Sequence, residues 1–235
     1  MHTKTAKSRH FRPSGDTTLL ATYGDAIDPL VNARVRRLAM SLDGLAHPAI
    51  VEVVTSYCTL AVRYRPQQIR WPELCDLVLA LEERLGEIAL ESAETVEIPV
   101  CYGGEFGPDL AVVADHNGLD PQEVIRLHGA VAYPIYAIGF APGFCYLGGL
   151  DPRLHTPRLV TPRLRVPAGS VGIAGGQTGV YPLASPGGWQ LIGRTPRRLF
   201  APERDQPIPY RVGDAIRFVA VSLKQYQRIS REEWP

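Results

Sequence analysis

The chain has 235 residues, a hydrophobic fraction of 45% and a formal net charge of +1. That much apolar material excludes wholesale disorder, and the near-zero charge leaves no polyanion-binding surface advertised by the totals, so no nucleic-acid partner is expected. No apolar run reaches membrane-spanning length, and the chain is long enough for one large or two modest domains.

The basic opening MHTKTAKSRHFRPSGD is followed by no apolar segment, so a secretory signal is not expected and residues 1–17 read as a flexible tail. Leu19–Thr22 is a candidate strand. Asp28 before Pro29 is a helix start: the carboxylate caps, and the missing proline N–H is harmless at the first helical position. Leu30, Val31, Val35, Leu38 and Leu42 recur at helical spacing. Arg34, Arg36 and Arg37 fall mostly off that stripe, as a solvated face, and Asp43-Gly44 stops the helix. Ile50–Val54 and Thr59–Tyr64 read as strands. Pro72 opens a second helix with Leu74, Leu77, Val78, Leu81 and Leu85 as its buried stripe, ended by Gly86. Strand, helix, strand, strand, helix is most of a split β-α-β unit, so a ferredoxin-like α+β domain is expected over residues 18–92. Its last strand would come from Ala89–Leu90 or Thr95–Val100, with the domain boundary near Glu91–Glu94.

In the second half, residues 93–235, Glu97–Tyr102 is a strand ending at Gly103-Gly104, and Phe106-Gly107-Pro108-Asp109 is a turn. Leu110–Ala114 is apolar. Asp120, Pro121 and Glu123 form the clearest helix start, a capping box, and Gly129 ends that helix. His128 lies in its last turn, where the helix dipole favours an imidazolium. Val131–Ile138 reads as a strand that Pro134 should confine to an edge or split in two.

From Gly139 to Pro196 glycine and proline recur every few residues. That spacing bars helices and long strands, leaving short strands joined by shaped loops, where function concentrates. Phe140, Phe144 and Tyr146 alternate about Gly143 as one wall of a pocket. Thr156-Pro157-Arg158 is repeated as Thr161-Pro162-Arg163, which places two arginines on a stiff backbone. Their odd separation puts them on opposite faces of an extended chain unless a turn intervenes, and such guanidiniums suit carboxylate or phosphate. Gly169, Gly172, Gly175, Gly176 and Gly179 allow close backbone approach to a ligand, although the segment fits neither phosphate-loop pattern. Ser170 is not in a nucleophile elbow, because Ala168 replaces the first glycine. Ser185–Trp189 reads as a tight turn carrying a large ring. Ile216–Val221 is a final strand and Lys224–Glu233 a short polar helix. About eight to ten short strands with one helix early on favour a closed or nearly closed barrel.

The histidines show no metal-pair spacing, so no metal site is expected. The four cysteines are scattered without a C-x-x-C pair, which fits a reduced, cytoplasmic protein, with Cys145 as a small buried residue. The residues alone thus lead to a two-domain α+β protein whose second domain carries an arginine-bearing pocket or partner surface.

A dense set of motifs goes further. Gly103-Gly104-Glu105-Phe106-Gly107-Pro108-Asp109-Leu110, His128, Gly139-Phe140-Ala141-Pro142-Gly143-Phe144, Tyr146-Leu147-Gly148-Gly149-Leu150, Pro157-Arg158, Pro162-Arg163, Val166–Val171 and Pro186-Gly187-Gly188-Trp189 closely resemble the family of 5-oxoprolinase B subunits (PxpB), also called KipI or allophanate hydrolase subunit 1. The first half fits in layout more than in motif. The resemblance implies a ferredoxin-like domain followed by a cyclophilin-like β-barrel. It also implies one component, inactive alone, of a complex that opens 5-oxo-L-proline to L-glutamate with ATP and Mg²⁺, its partners being the C and A subunits of that enzyme. A KipI-like inhibitor that binds a sensor histidine kinase, and a subunit of an allophanate-type amide hydrolase, are the alternatives it carries. Under this resemblance Arg158 and Arg163 are candidates for balancing a phosphoryl group or holding a carboxylate. His128 is the candidate acid–base group. Phe140, Pro142, Gly143, Phe144, Tyr146, Ser170, Gln177 and Trp189 are candidates for binding substrate.

Overall fold

Asp28 does what its chemistry dictates. Its carboxylate accepts the backbone N–H of Leu30 and Val31 at 2.7 and 3.1 Å and starts helix α1, Pro29–Gly44. The computed structural model describes residues 10–87, 89, 90 and 93–232. The chain divides into two units, Met1–Ser92 and Ala93–Pro235. The fold is mixed α+β. Residues 1–9 of the expected tail, Glu91 and Ser92 of the expected boundary, and Glu233 of the expected last helix lie outside the described residues.

The N-terminal unit contains β1 (Phe11–Pro13), β2 (Thr18–Thr22), α1, β3 (Ile50–Thr55), β4 (Thr59–Tyr64) and α2 (Trp71–Glu82). Its sheet has the order β1-β2-β4-β3, antiparallel throughout. Alternation sends Leu19, Ala21, Leu60, Val62 and Tyr64 to one face, where they pack with Val35, Leu38, Leu42, Leu74 and Val78 of the two helices. Two expectations change. The stripe on α1 is turned, so that Leu30 is 82% exposed and Asn32 is buried. The Asn32 amide donates to the carbonyls of Ser56 and Tyr57 in the β3–β4 turn at 3.1 and 3.2 Å, which gives the buried amide its partners. Arg34 is not merely solvated either: it donates to Glu82 at 3.1 Å and lies over the Tyr23 ring.

The fourth strand comes from neither Ala89–Leu90 nor Thr95–Val100. It is β1, inside the stretch expected to be flexible, paired Phe11↔Ala21 on the free edge of β2. Three residues carry no alternation to read, and Pro13 is tolerated because the strand is an edge.

The second unit contains β5 (Thr95–Tyr102), α3 (Leu110–Asn117), α4 (Pro121–Gly129), β6 (Ala132–Ile138), β7 (Cys145–Leu147), β8 (Arg163–Val166), β9 (Ser170–Ala174), β10 (Gln177–Val180), β11 (Ser185–Gly187), β12 (Gln190–Arg194), β13 (Ala215–Ala220) and α5 (Leu223–Ile229). Seven strands form one sheet in the order β10-β9-β12-β5-β13-β6-β7. Its two edge strands, β10 and β7, lie against each other, so the sheet is a nearly closed barrel. The β5–β13 pair is parallel and the other pairs are antiparallel. Ile98, Val100, Tyr133, Ile173, Ile192 and Phe218 are fully or almost fully buried in its core. Strands β8 and β11 form a separate two-stranded ribbon, so the Ser185–Gly187 part of the expected tight turn is strand.

Leu110–Ala114, apolar without a readable period, opens the helix α3, which Gly118 ends in the left-handed conformation at φ 63°. Pro134 neither splits β6 nor makes it an edge: β6 lies between β13 and β7. The proline sits where β7 ends, and its carbonyl accepts from Gly148. Glu123 forms no capping box; it pairs with Arg126, and Asp120 caps alone through the Gln122 N–H. Among the described residues no helix is long and apolar enough to cross a membrane.

The turn before α3 is pressed onto β12. A Cβ at Gly107 would lie 2.0 Å from the Ile192 carbonyl oxygen. Gly107→Ala is therefore expected to lower the stability of the unit by about 3 kcal/mol through overpacking, measured by denaturant unfolding of the single variant against the parent chain.

Candidate functional site

The chain from β6 to β7 turns back within six residues, with the Phe144 N–H donating to the Ala141 carbonyl and the Gly139 N–H to the Phe144 carbonyl. Closing that turn puts Phe140 at φ 66°, a left-handed conformation that a bulky residue seldom adopts. Phe140 ends 66% exposed while Phe144 is buried. Phe144 is the hub of an aromatic cluster. Edge-to-face neighbours surround it: Phe140 at 5.3 Å, Tyr146 at 5.2 Å, Tyr181 at 5.7 Å and Trp189 at 5.8 Å between centroids.

These five rings, together with Arg158, Leu159, Pro162 and the Pro186-Gly187-Gly188 backbone, line a cavity of about 380 Å³. The glycines nearby serve the rings. A Cβ at Gly179 would meet the Trp189 indole at 3.2 Å, and one at Gly187 would lie 2.4 Å from the Tyr181 hydroxyl. The close approach expected of the glycine-rich run is thus, at Gly172 and Gly179, an approach of strands β9 and β10 to Trp189 of the same chain.

The two arginines of the Thr-Pro-Arg repeat part company. Arg163 starts β8 and turns inward. Its Nη2 donates to both carboxylate oxygens of Asp109 at 2.7 and 2.8 Å, and its Nη1 donates to the Trp189 carbonyl at 3.2 Å. Asp109 is buried and also accepts the Leu191 N–H at 2.6 Å. Arg158 is exposed on the loop before β8 and lines the cavity. Burial pushes the Tyr181 hydroxyl upward in pKa, while the Trp189 backbone amide and the charges of Arg158 and Arg163 hold it back.

Other expected site residues lie elsewhere. His128 is fully buried on α4 and stacks on Phe218 with centroids 4.6 Å apart. The Thr178 hydroxyl donates to the Gly172 carbonyl at 3.0 Å, so it accepts from His128 Nε2–H at 2.7 Å. His128 Nδ1 then accepts from the Tyr102 hydroxyl at 2.8 Å. Both ring nitrogens are satisfied by a neutral imidazole. Burial pushes its pKa down from 6.5 to about 3, which overrides the helix-end preference for an imidazolium. Ser170 is buried in β9, Gln177 begins β10, and Pro142 and Gly143 sit in the turn before β7; none of them lines the cavity. The Gly143 carbonyl instead accepts from the buried Tyr210 hydroxyl at 2.6 Å. Cys145 is buried, its thiol pushed up to about 12. Sequence reasoning missed Tyr181, although a tyrosine between Gly179 and Pro182 was available as a further aromatic in the same glycine-rich run.

The carboxyltransferase domain family, subdomains C and D, matches residues 9–210. The B subunit of 5-oxoprolinase from Bacillus subtilis (strain 168) is 44% identical over 229 residues, covering 93% of this chain and 95% of that protein. The B subunit of 5-oxoprolinase from Escherichia coli O157:H7 is 47% identical over 206 residues, covering 87% and 93%. The crystal structure of TTHA0988 superposes with a TM-score of 0.77 at 36% identity over 87% of this chain, which spans 40% of that longer one.

Two outcomes follow from the geometry. Between pH 6.5 and pH 3 the unfolded chain holds one more proton at His128 than the folded one, so stability falls as the pH drops through that window. His128→Gln keeps a donor and an acceptor without titrating. Its unfolding free energy, measured from pH 7 to pH 4, is expected to lack up to about 1.4 kcal/mol per pH unit of the parent's slope. Arg163→Met strands the buried Asp109 carboxylate and is expected to cost about 3 kcal/mol in the same assay at pH 7.

Proposed function

We propose, since the chain belongs to the family of 5-oxoprolinase B subunits, that it serves as the B subunit of an ATP-hydrolysing 5-oxoprolinase and that its aromatic cavity faces the substrate. The reaction opens the lactam C–N bond of 5-oxo-L-proline with water to give L-glutamate, coupled to cleavage of ATP. One observation carries the assignment of the site: the family motifs around Phe140, Phe144, Arg158 and Trp189, far apart in sequence, converge on one cavity. Its walls suit a small saturated ring, and the rigid floor of Phe144, Tyr181 and Trp189 is preorganised by packing.

We read the first unit as ferredoxin-like, supported by its β2-α1-β3-β4-α2 order, and the second as a cyclophilin-like barrel, supported by its nearly closed seven-stranded sheet. Likeness of fold carries no prolyl isomerase activity. Two further polypeptides, the C and A subunits, complete the enzyme in this reading. Phe140 is two-thirds exposed at the cavity, and Val160 and Leu164, in the segment that supplies Arg158 and Pro162, are almost fully exposed. Such a rim fits burial against a second polypeptide. The four free cysteines fit a cytoplasmic setting.

The described residues offer ATP and Mg²⁺ no ready-made site. Among the described residues no three His, Cys, Asp or Glu side chains converge to hold a metal ion. The cavity's lining offers a single cation, too little for a triphosphate. In this reading the aromatic cavity is not the nucleotide site.

The test is reconstitution with the A and C subunits, following glutamate formed from 5-oxo-L-proline. Phe140→Ala should leave the thermal midpoint of the chain within about 2 °C, because the ring is exposed, yet lower kcat/KM of the complex roughly tenfold. A complete complex that never opens 5-oxoproline would overturn the reading.

A further inference from the structure

Of the side chains that line the aromatic cavity, Arg158 alone carries a charge. Its repeat-mate Arg163 is neutralised by Asp109. Arg158, in contrast, makes no ion pair or side-chain hydrogen bond among the described residues. Its charge nevertheless reaches the cavity floor, where the Tyr181 hydroxyl senses it. The Tyr181 ring is held by Phe144 and Trp189, so the cavity presents a fixed apolar floor beside a guanidinium that no protein carboxylate claims.

We infer that Arg158 is the specificity-determining residue of the cavity and that it selects a ring-bearing monocarboxylate by its carboxylate group. The inference rests on the 5-oxoprolinase reading and deepens it by saying which end of the substrate this chain grips. A lone guanidinium matches one carboxylate in charge and in fork geometry, whereas a phosphate ester or a nucleotide calls for further cations. Saturated ring carbons have the aromatic faces to pack on, and a ligand with no carboxylate leaves the guanidinium without a partner. The carboxylate of 5-oxo-L-proline keeps its charge through lactam opening. The contact is the same in ground state and transition state, so it governs KM rather than kcat.

The experiment uses the complex of this chain with the A and C subunits. Initial rates are measured on 5-oxo-L-proline and on 2-pyrrolidinone, the same lactam without the carboxylate. Arg158→Gln is expected to raise KM for 5-oxo-L-proline roughly 10- to 100-fold with kcat within about twofold. The same variant should narrow the preference for 5-oxo-L-proline over 2-pyrrolidinone by a similar factor. Arg158→Lys keeps the charge without the fork, and its KM should lie between the two. Should the glutamine variant fail to assemble, the lysine variant and its substrate ratio decide the matter. A KM and a substrate preference unchanged in both variants would overturn the inference while leaving the proposed enzyme role intact. A fall in kcat alone would overturn it as well, by moving Arg158 to the chemical step. A parent complex inactive on 5-oxo-L-proline would instead remove the reading on which the inference rests.

Discussion

The cavity depends on the pairing of Asp109 with Arg163. Both oxygens of a buried carboxylate are filled, by Arg163 Nη2 and by the Leu191 N–H, while the Asp109 N–H donates back to the Leu191 carbonyl at 2.9 Å. A buried carboxylate is tolerable only when satisfied in this way. The same guanidinium takes the Trp189 carbonyl. Trp189 is thereby fixed on both sides, through its own carbonyl and through Leu191 two residues on. Helix α3, strand β8 and strand β12 meet at this one ion pair, and the indole that floors the cavity hangs from it. The floor rings then need no ligand to order them, which is the condition for a site that binds without reorganising.

That pairing also separates two arginines that the sequence presents as equals. Arg158 and Arg163 follow the same Thr-Pro pair. What distinguishes them is a carboxylate 54 residues before Arg163, brought close only when the turn ahead of α3 docks on β12. One guanidinium is bound into the structure and the other lines the cavity. No local pattern could have made that assignment, because the deciding group is distant in the chain.

The same contrast runs through the rest of the molecule. Features set by neighbours in sequence were legible: the Asp28-Pro29 start of α1, the two strands Ile50–Thr55 and Thr59–Tyr64, the cap at Asp120 and a barrel of short strands. Features set by partners in space were not. Strand β1 exists because the edge of β2 is open to it. Helix α3 opens on a short apolar run whose period is too brief to read against a strand. His128 looked like a helix-end imidazolium until Tyr102 and Thr178, from β5 and β10, took its two nitrogens. The wall of Phe140, Phe144 and Tyr146 was legible because the rings lie close together in the chain, in one turn and the strand that follows it. Tyr181, which completes it, comes from the chain just after β10.

The cavity is asymmetric in a way that bears on how it works. Its floor is buried and interlocked, whereas its rim carries Phe140 in a strained backbone conformation with its ring largely in water. Positive φ at a phenylalanine costs about 1–3 kcal/mol, and a ring that is 66% exposed recovers little of that by burial. Glycine at this position would relieve the backbone at once. The turn holds the ring outward all the same, through the Gly139 and Phe144 hydrogen bonds that close it. Among the described residues the ring contact that offsets this cost is the one with Phe144. In the proposed reading the rest of the offset is supplied by a surface that meets the rim, substrate or partner polypeptide. In the reading proposed above, a barrel whose cavity is open on an apolar edge is one part of a shared site, and the guanidinium of Arg158 lines that same opening.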